Sequence, residues 1–424
     1  MSGAIGIRTD RRRTIATALS AVALLRAQYV AAEPIHGRIQ LQYAYAEADA
    51  DSVAALVDVR QRSDWLGDMR ITWSPRVDEW SLDTAYVLAF DAGDTPYLTA
   101  RESGLGILPS APTGTLWDLT NTFTNRPHLT GSQAIDRLAV GYANEHWVGR
   151  IGRQALTWGA GLVFHPMDLF DPFAPDATDT EYKPGTDMLY GQYLFDSGAD
   201  LQVVVVPRRS RTSGDITGDA SSFALHLHAT IKSLQTTWLV ARDHGDVVAA
   251  IGVNGALGGA TWNAEVIPTI MQDHGTYTSA LVNLSTGEQV WHRDATWFAE
   301  YYRNGFGSSR SRYSLADLPT PLLDRLLRGQ VFNTGRDYLA GGVQLQWTPL
   351  LQLSPTFIVN LNDTSCYFVG QGTYSLTDNL NVIVGVEIPT GGKHTEFGGV
   401  PLASNSNTYL EQPMRAYVQL RGYF

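Results

Sequence analysis

Apolar and polar residues alternate along much of the chain with a period of two, the pattern of strands that turn one face to an apolar phase. In RIQLQYAYA, Ile39, Leu41, Tyr43 and Tyr45 share one face, and Arg38, Gln40, Gln42 and Ala44 share the other. Farther on, Leu339, Val343, Leu345 and Trp347 oppose Gln344 and Gln346, while Leu380, Val382, Val384, Val386 and Ile388 oppose Asn381, Gly385 and Glu387. Eighteen such segments are read, near 36–46, 66–75, 80–90, 134–143, 147–157, 187–196, 200–207, 221–231, 236–243, 247–256, 260–271, 277–285, 294–304, 337–348, 354–362, 366–376, 380–389 and 413–424. Short connections between 231 and 304 leave the register loose there, so sixteen strands is the alternative count.

The connections alternate in length. Long stretches (47–65, 91–133, 158–186, 208–220, 305–336 and 390–412) all follow odd-numbered segments, and mostly short turns follow even-numbered ones. A barrel with both termini on the periplasmic side requires that parity, whereas a sandwich or propeller does not. The expected fold is therefore all-β: a transmembrane antiparallel up-and-down β-barrel with long extracellular loops and short periplasmic turns.

Composition agrees. Of 424 residues, 44% are hydrophobic and only 17% charged, against about 25% in ordinary soluble domains. No window supplies the roughly 20 consecutive apolar residues of a membrane helix. Arg11, Arg12 and Arg13 precede an apolar stretch from Thr14 to Leu25 and the small residues Val30, Ala31 and Ala32, which reads as a signal peptide over 1–32 ahead of one barrel domain over 33–424. Its removal takes away five Arg and one Asp, moving the net charge from −11 to −15, so nucleic acid is an unsuitable partner. The lone Cys366 cannot form an intrachain disulfide. At the other end, terminal Phe424 continues the face of Leu420 and Val418, which resembles the terminal strand recognised by the outer-membrane barrel assembly machinery, with Gly422 as a departure from it.

The segment RIGRQALTWGAGLVFHPMDLFDPFAPDATDTEYKPGTDMLYGQY, from Arg150 to Tyr193, and the tail from Arg336 to Phe424 resemble uncharacterised porin-like outer-membrane β-barrel proteins of Gram-negative bacteria. The resemblance covers about a third of the chain. It implies barrel class and outer-membrane location, and it carries over no functional residue.

Alternation places Arg38, Gln40, Gln42, Asp68, Arg70, Asp83, Arg137, Arg150, Asn263, Glu265, Glu300, Gln344, Gln346, Glu387, Arg415 and Arg421 on the lumenal side. Both charge signs occur, which suits a transverse field across a pore. The stretch 158–186 is the candidate constriction, with Trp158, Phe164, His165, Asp168, Phe170, Asp171 and Phe173 as its leading residues and Pro166, Pro172 and Pro175 fixing its backbone. Exposed aromatics favour a loop folded inward; a cap on the barrel mouth is the alternative. Asp168, Asp171, Asp176 and Asp179 raise Ca²⁺, but their spacing matches no EF-hand. In LADLPTPLLDRLLRG, Leu318, Leu322, Leu323, Leu326 and Leu327 predict an apolar helical face in an outer loop. His226 and His228 share a strand face, but two imidazoles without a third ligand make a weak metal site. Neither a nucleophile elbow nor an HExxH motif is present, so no catalytic residue, metal or cofactor is assigned.

The expected function is passage of small hydrophilic solutes, sugars or organic anions among them, across the outer membrane. The alternative is a structural or export barrel working with periplasmic partners, for example in polysaccharide export. Expected partners are outer-membrane lipid and lipopolysaccharide, the assembly machinery and the solutes themselves, with homo-oligomerisation left open.

Overall fold

The computed structural model describes residues 34–104, 114–272 and 274–424; the signal peptide expected over 1–32 lies outside them. Eighteen antiparallel strands close a barrel. They are β1 (His36–Glu47), β2 (Gln61–Trp73), β3 (Trp80–Gly93), β4 (Leu129–Ala143), β5 (Trp147–Gln154), β6 (Thr186–Leu194), β7 (Asp200–Val206), β8 (Ser222–Ile231), β9 (Leu234–Asp243), β10 (Asp246–Leu257), β11 (Ala260–Met271), β12 (Gly275–Val290), β13 (Arg293–Arg303), β14 (Asp337–Thr348), β15 (Leu351–Asn360), β16 (Cys366–Thr377), β17 (Leu380–Thr390) and β18 (Met414–Tyr423). Closure comes from β1 pairing with both β2 and β18, with Leu41 opposite Leu420 and Tyr43 opposite Val418. Closing the ring satisfies every strand edge, the condition for placing a sheet in lipid. The count is eighteen rather than sixteen, because 231–304 forms a regular run of tight hairpins.

Several of those hairpins turn in two residues. At Gly258–Gly259 both residues have positive φ, which matches the right-handed twist of the flanking strands at no steric cost. The connection after every even-numbered strand is short, as the parity demands. Alternate residues face out: Ile39, Leu41, Val384 and Leu420 are all exposed, and they form the lipid-facing belt. Trp73, Trp80, Trp147, Trp291 and Trp347 lie exposed at or beside the short turns, forming an aromatic girdle at the periplasmic interface.

The wall has one charged exception. Arg153 and Asp187 point outward near the outer rim and pair at 2.8 Å. The returning segment 114–120 covers them, with the Trp117 N–H donating to Asp187 at 3.0 Å. Strand Thr120–Arg126 then pairs with β4 beyond the end of the short β5. In the outer loop after β13 a helix spans Thr320–Leu327. Its buried face carries Leu322 and, unexpectedly, Arg325, whereas Leu327 is exposed. Leu318, Leu322, Leu323 and Leu326 pack together as the predicted face, and Arg325 beside them is held by Asp246 at 2.8 Å and lies over the Phe306 ring.

Candidate functional site

The outer connection 155–185 joins neighbours β5 and β6, yet it is held by walls on opposite sides of the barrel. On the outbound half, Glu300 of β13 accepts the backbone N–H groups of Leu162 (2.6 Å), Val163 (3.0 Å) and Phe164 (2.8 Å), plus the Asn283 amide (3.0 Å). Glu265 of β11 accepts the Ala160 N–H at 2.6 Å, and Asn283 donates to the Ala160 carbonyl. Three successive N–H groups around one carboxylate form a charge-assisted clamp. On the return half, Arg38 of β1 donates to Asp179 (2.8 Å) and Glu181 (3.1 Å), and Arg421 of β18 reaches Glu181 (3.1 Å). The Tyr182 ring lies under the guanidinium groups of Arg70 (4.3 Å) and Arg38 (5.0 Å). β2 and β11 stand half a circumference apart, so the segment crosses the lumen from wall to wall.

Its side chains pack accordingly. Trp158, Met167, Leu169 and Phe170 join inward residues of β6–β11 such as Met188, Val204 and Leu239 in one apolar cluster. Val163 and Phe164 enter another with Leu281, Tyr302 and Tyr338, Phe164 stacking on Tyr302 at 4.6 Å. The lumenal wall is thus not polar throughout: where the loop covers it, apolar side chains replace wetted ones. Inside the loop, Lys183 is buried against Asp168 at 2.5 Å and also donates to the Leu156 carbonyl. Burial pushes the Asp168 carboxyl up to about 6, against the pull of Lys183, and it lowers both the Lys183 ammonium and the neighbouring His165.

The lumen candidates fall into separate sets. Arg38, Asp68 and Arg70 line the wall under the return half, Arg38 pairing with Asp68 at 3.0 Å and Arg70 with Asp136 at 2.7 Å. Arg137 also holds Asp136 and donates to the Lys183 carbonyl. Asp136 escapes simple alternation, because a bulge opposite Ala85 and Tyr86 inserts it as an extra residue. Arg415 binds Glu387 at 3.0 Å, and the Tyr367 hydroxyl donates to the same carboxylate. Asp83 and Arg150 lie toward the periplasmic ends of their strands. Glu300 corrects the expectation of a solute contact: it is 1% exposed, and the loop takes both of its oxygens.

In the loop itself, Phe173 is only partly buried, and Asp171 turns outward, accepting from Thr186. The four aspartates do not converge. Asp168 serves Lys183, Asp171 serves Thr186, Asp176 takes the Gln412 amide, and Asp179 takes Arg38. Among the described residues, the one acidic group tight enough for a cation is Asp49, Asp51 and Glu411, and the Lys393 ammonium sits among all three. His226 and His228 do face the lumen; the nearby carboxylate is Asp200, 3.4 Å from His228. Sequence reading passed over Asp136, Asn283 and Glu181. Asn283 lies on the polar face of its strand and was findable, whereas the bulge at Asp136 left no mark in the pattern.

No protein-family model matches the sequence, and no curated protein matches it. Solved structures do. OccAB2 of Acinetobacter baumannii superposes with a TM-score of 0.52 at 9% identity over 92% of this chain and 97% of that one. The fold is that of an outer-membrane porin. A BenF-like porin from Pseudomonas fluorescens Pf-5 gives 0.51 at 9% identity, over 92% and 98%. Wzi of Escherichia coli, an outer-membrane carbohydrate-binding barrel involved in group 1 capsule assembly, gives 0.51 at 8% identity, over 99% and 89%. With its closed ring, apolar belt and girdle, this porin-like barrel is integral to the outer membrane.

Proposed function

We propose that the barrel is a passive channel for small hydrophilic solutes in which the crossing loop, 155–185, sets what passes. The observation that carries this reading is the wall-to-wall anchorage of that loop, by glutamates on one side and arginines on the other. A segment so held narrows the lumen of an 18-stranded barrel, which is otherwise wide enough for an aqueous route. The reading needs neither a cofactor nor chemistry at a reacting centre. Phe424, with outward Leu420 and Val418, would serve as the assembly signal. The test is planar-bilayer conductance of the full barrel beside a variant in which residues 160–181 become a Gly-Ser linker. The variant should pass more current, and absence of current from both folded proteins refutes the channel.

A second reading is an export or assembly barrel. It is favoured by the way outer loops lock over the mouth: the Tyr313 N–H donates to the His394 carbonyl at 2.7 Å, and Glu396 accepts from Thr334 and Asn333. Burial raises the Glu396 carboxyl above its ordinary range. Glycan binding by a folded barrel that carries no current would favour it.

A further inference from the structure

A cavity of about 330 Å³ lies on the periplasmic side of the crossing loop, between Trp158 to Ala160 and the inner faces of β6–β11. We infer that it is a binding site for a small organic ammonium ion, an inference that rests on the channel reading and names a solute class for it.

The lining decides the charge. Two carboxylates, Asp200 and Glu265, face the cavity, and among the described residues no lysine or arginine lines it. The other polar groups are neutral amides (Gln202, Asn254 and Asn263), hydroxyls and the imidazoles of His226 and His228. Arg150 stands one strand beyond Tyr190 and forms no ion pair with Asp200 among the described residues. A carboxylate solute would meet two like charges there, and a cation meets two opposite ones.

Hydrogen bonding points the same way. Glu265 Oε1 accepts from Ala160 and Asn263, but Oε2 is buried with no donor, and His226 Nδ1 is buried without a partner. An unpartnered buried carboxylate oxygen is costly, and an ammonium N–H is the donor that relieves it best. Asp200 is better served: Gln192 (3.0 Å) and Gln202 (2.8 Å) donate to its Oδ1, and Oδ2, 3.4 Å from His228 Nδ1, can accept from a further donor. Space is preset as well. Gly252 pairs across from Glu265, and the Met167 methyl fills the room a side chain would take there. An unbranched thioether can swing aside. Trp158 closes the roof, fixed by stacking on His226 at 4.9 Å and by donating to Gln202 at 2.9 Å.

The test uses the full barrel, folded in detergent, and three probes that share a four-carbon chain: 1,4-diaminobutane, 1,4-butanediol and succinate. Calorimetric titration should show saturable binding of the diamine alone. Glu265→Gln and Asp200→Asn should each weaken it about tenfold to a hundredfold, the loss expected of one charge-assisted hydrogen bond. Asp200→Asn keeps an oxygen for its two amide donors, so it tests the site even if Glu265→Gln loosens the loop. Equal binding of the diol or of succinate, or undiminished diamine binding in both variants, overturns the inference. A barrel that conducts but ignores the diamine refutes the site and spares the channel; one that binds the diamine without conducting does the reverse.

Discussion

Replacing Glu300 by alanine removes the acceptor for three backbone N–H groups at once. Leu162, Val163 and Phe164 all donate to that carboxylate, and Val163 and Phe164 are buried where they do so. Each orphaned buried N–H costs about 1–3 kcal/mol, and water entering the vacated space returns part of it. With two of the three N–H groups buried, a net weakening of about 2–4 kcal/mol follows, which shifts the balance between anchored and released loop by roughly 30- to 10³-fold. Opposing release, Phe164 keeps its apolar contacts with Tyr302 and Tyr338, worth about 2–3 kcal/mol. The expectation for Glu300→Ala is higher single-channel conductance and chymotryptic cleavage at Phe164, with heat-modifiable migration retained. Glu300→Gln keeps one oxygen for the clamp but loses its charge, so it should fall between. A Glu300→Ala barrel that is folded, conducts like the parent and resists cleavage at Phe164 would refute the clamp.

The opposite anchor is tested by Arg38→Ala, which leaves Asp68, Asp179 and Glu181 without their shared guanidinium and should loosen the return half by about 3 kcal/mol; combined with Glu300→Ala the effects on protease sensitivity should add, since the sites share no partner. Gly37→Val should slow assembly, measured as the heat-modifiable fraction over time, because a Cβ at Gly37 would overlap the terminal Phe424 ring; unchanged kinetics would show that the ring moves aside without cost to closure. For pH, Asp168 has a folded value near 6 against about 4 unfolded, so its own contribution to the closed loop grows as pH falls from 7 toward 4, by at most ~3 kcal/mol, while the lowered His165 works in the opposite sense. Amide protection factors in the loop at pH 7.5 and pH 5, each taken relative to the intrinsic exchange rate at that pH and compared with those of Asp168→Asn, read this contribution, and a smaller protection factor at pH 5 that Asp168→Asn leaves unchanged would contradict the sign.

Much of the wall was legible because lipid enforces it. A strand that turns one face to hydrocarbon must alternate, and each of the eighteen segments read from that alternation coincides with a strand. Loop parity was equally legible, since topology leaves the short turns on one side. What escaped the pattern escaped for local reasons. Asp136 faces inward only because of the bulge beside it, and Arg153 and Asp187 can face outward only because residues 114–120 fold over them. Arg325 is buried on the helix because it pairs with Asp246, a residue 79 positions away.

The inner face was harder, because its polarity depends on what stands opposite it. Val204, Leu239 and Leu281 point into a lumen and would read there as misplaced, yet each is fully covered once the loop lies on it. The same dependence reassigns the charges. Glu300 and Arg38, read as a field across open water, bind the loop's own N–H groups and carboxylates instead, and both are nearly buried. A transverse separation of charge therefore persists, with arginines on β1, β2 and β18 and glutamates on β11 and β13, but its first effect is mechanical. Each wall attracts the half of the loop that complements it, N–H groups to the acidic side and Asp179 and Glu181 to the basic side. That complementarity specifies where the loop crosses and which way round it lies, a register that neither apolar cluster could fix alone.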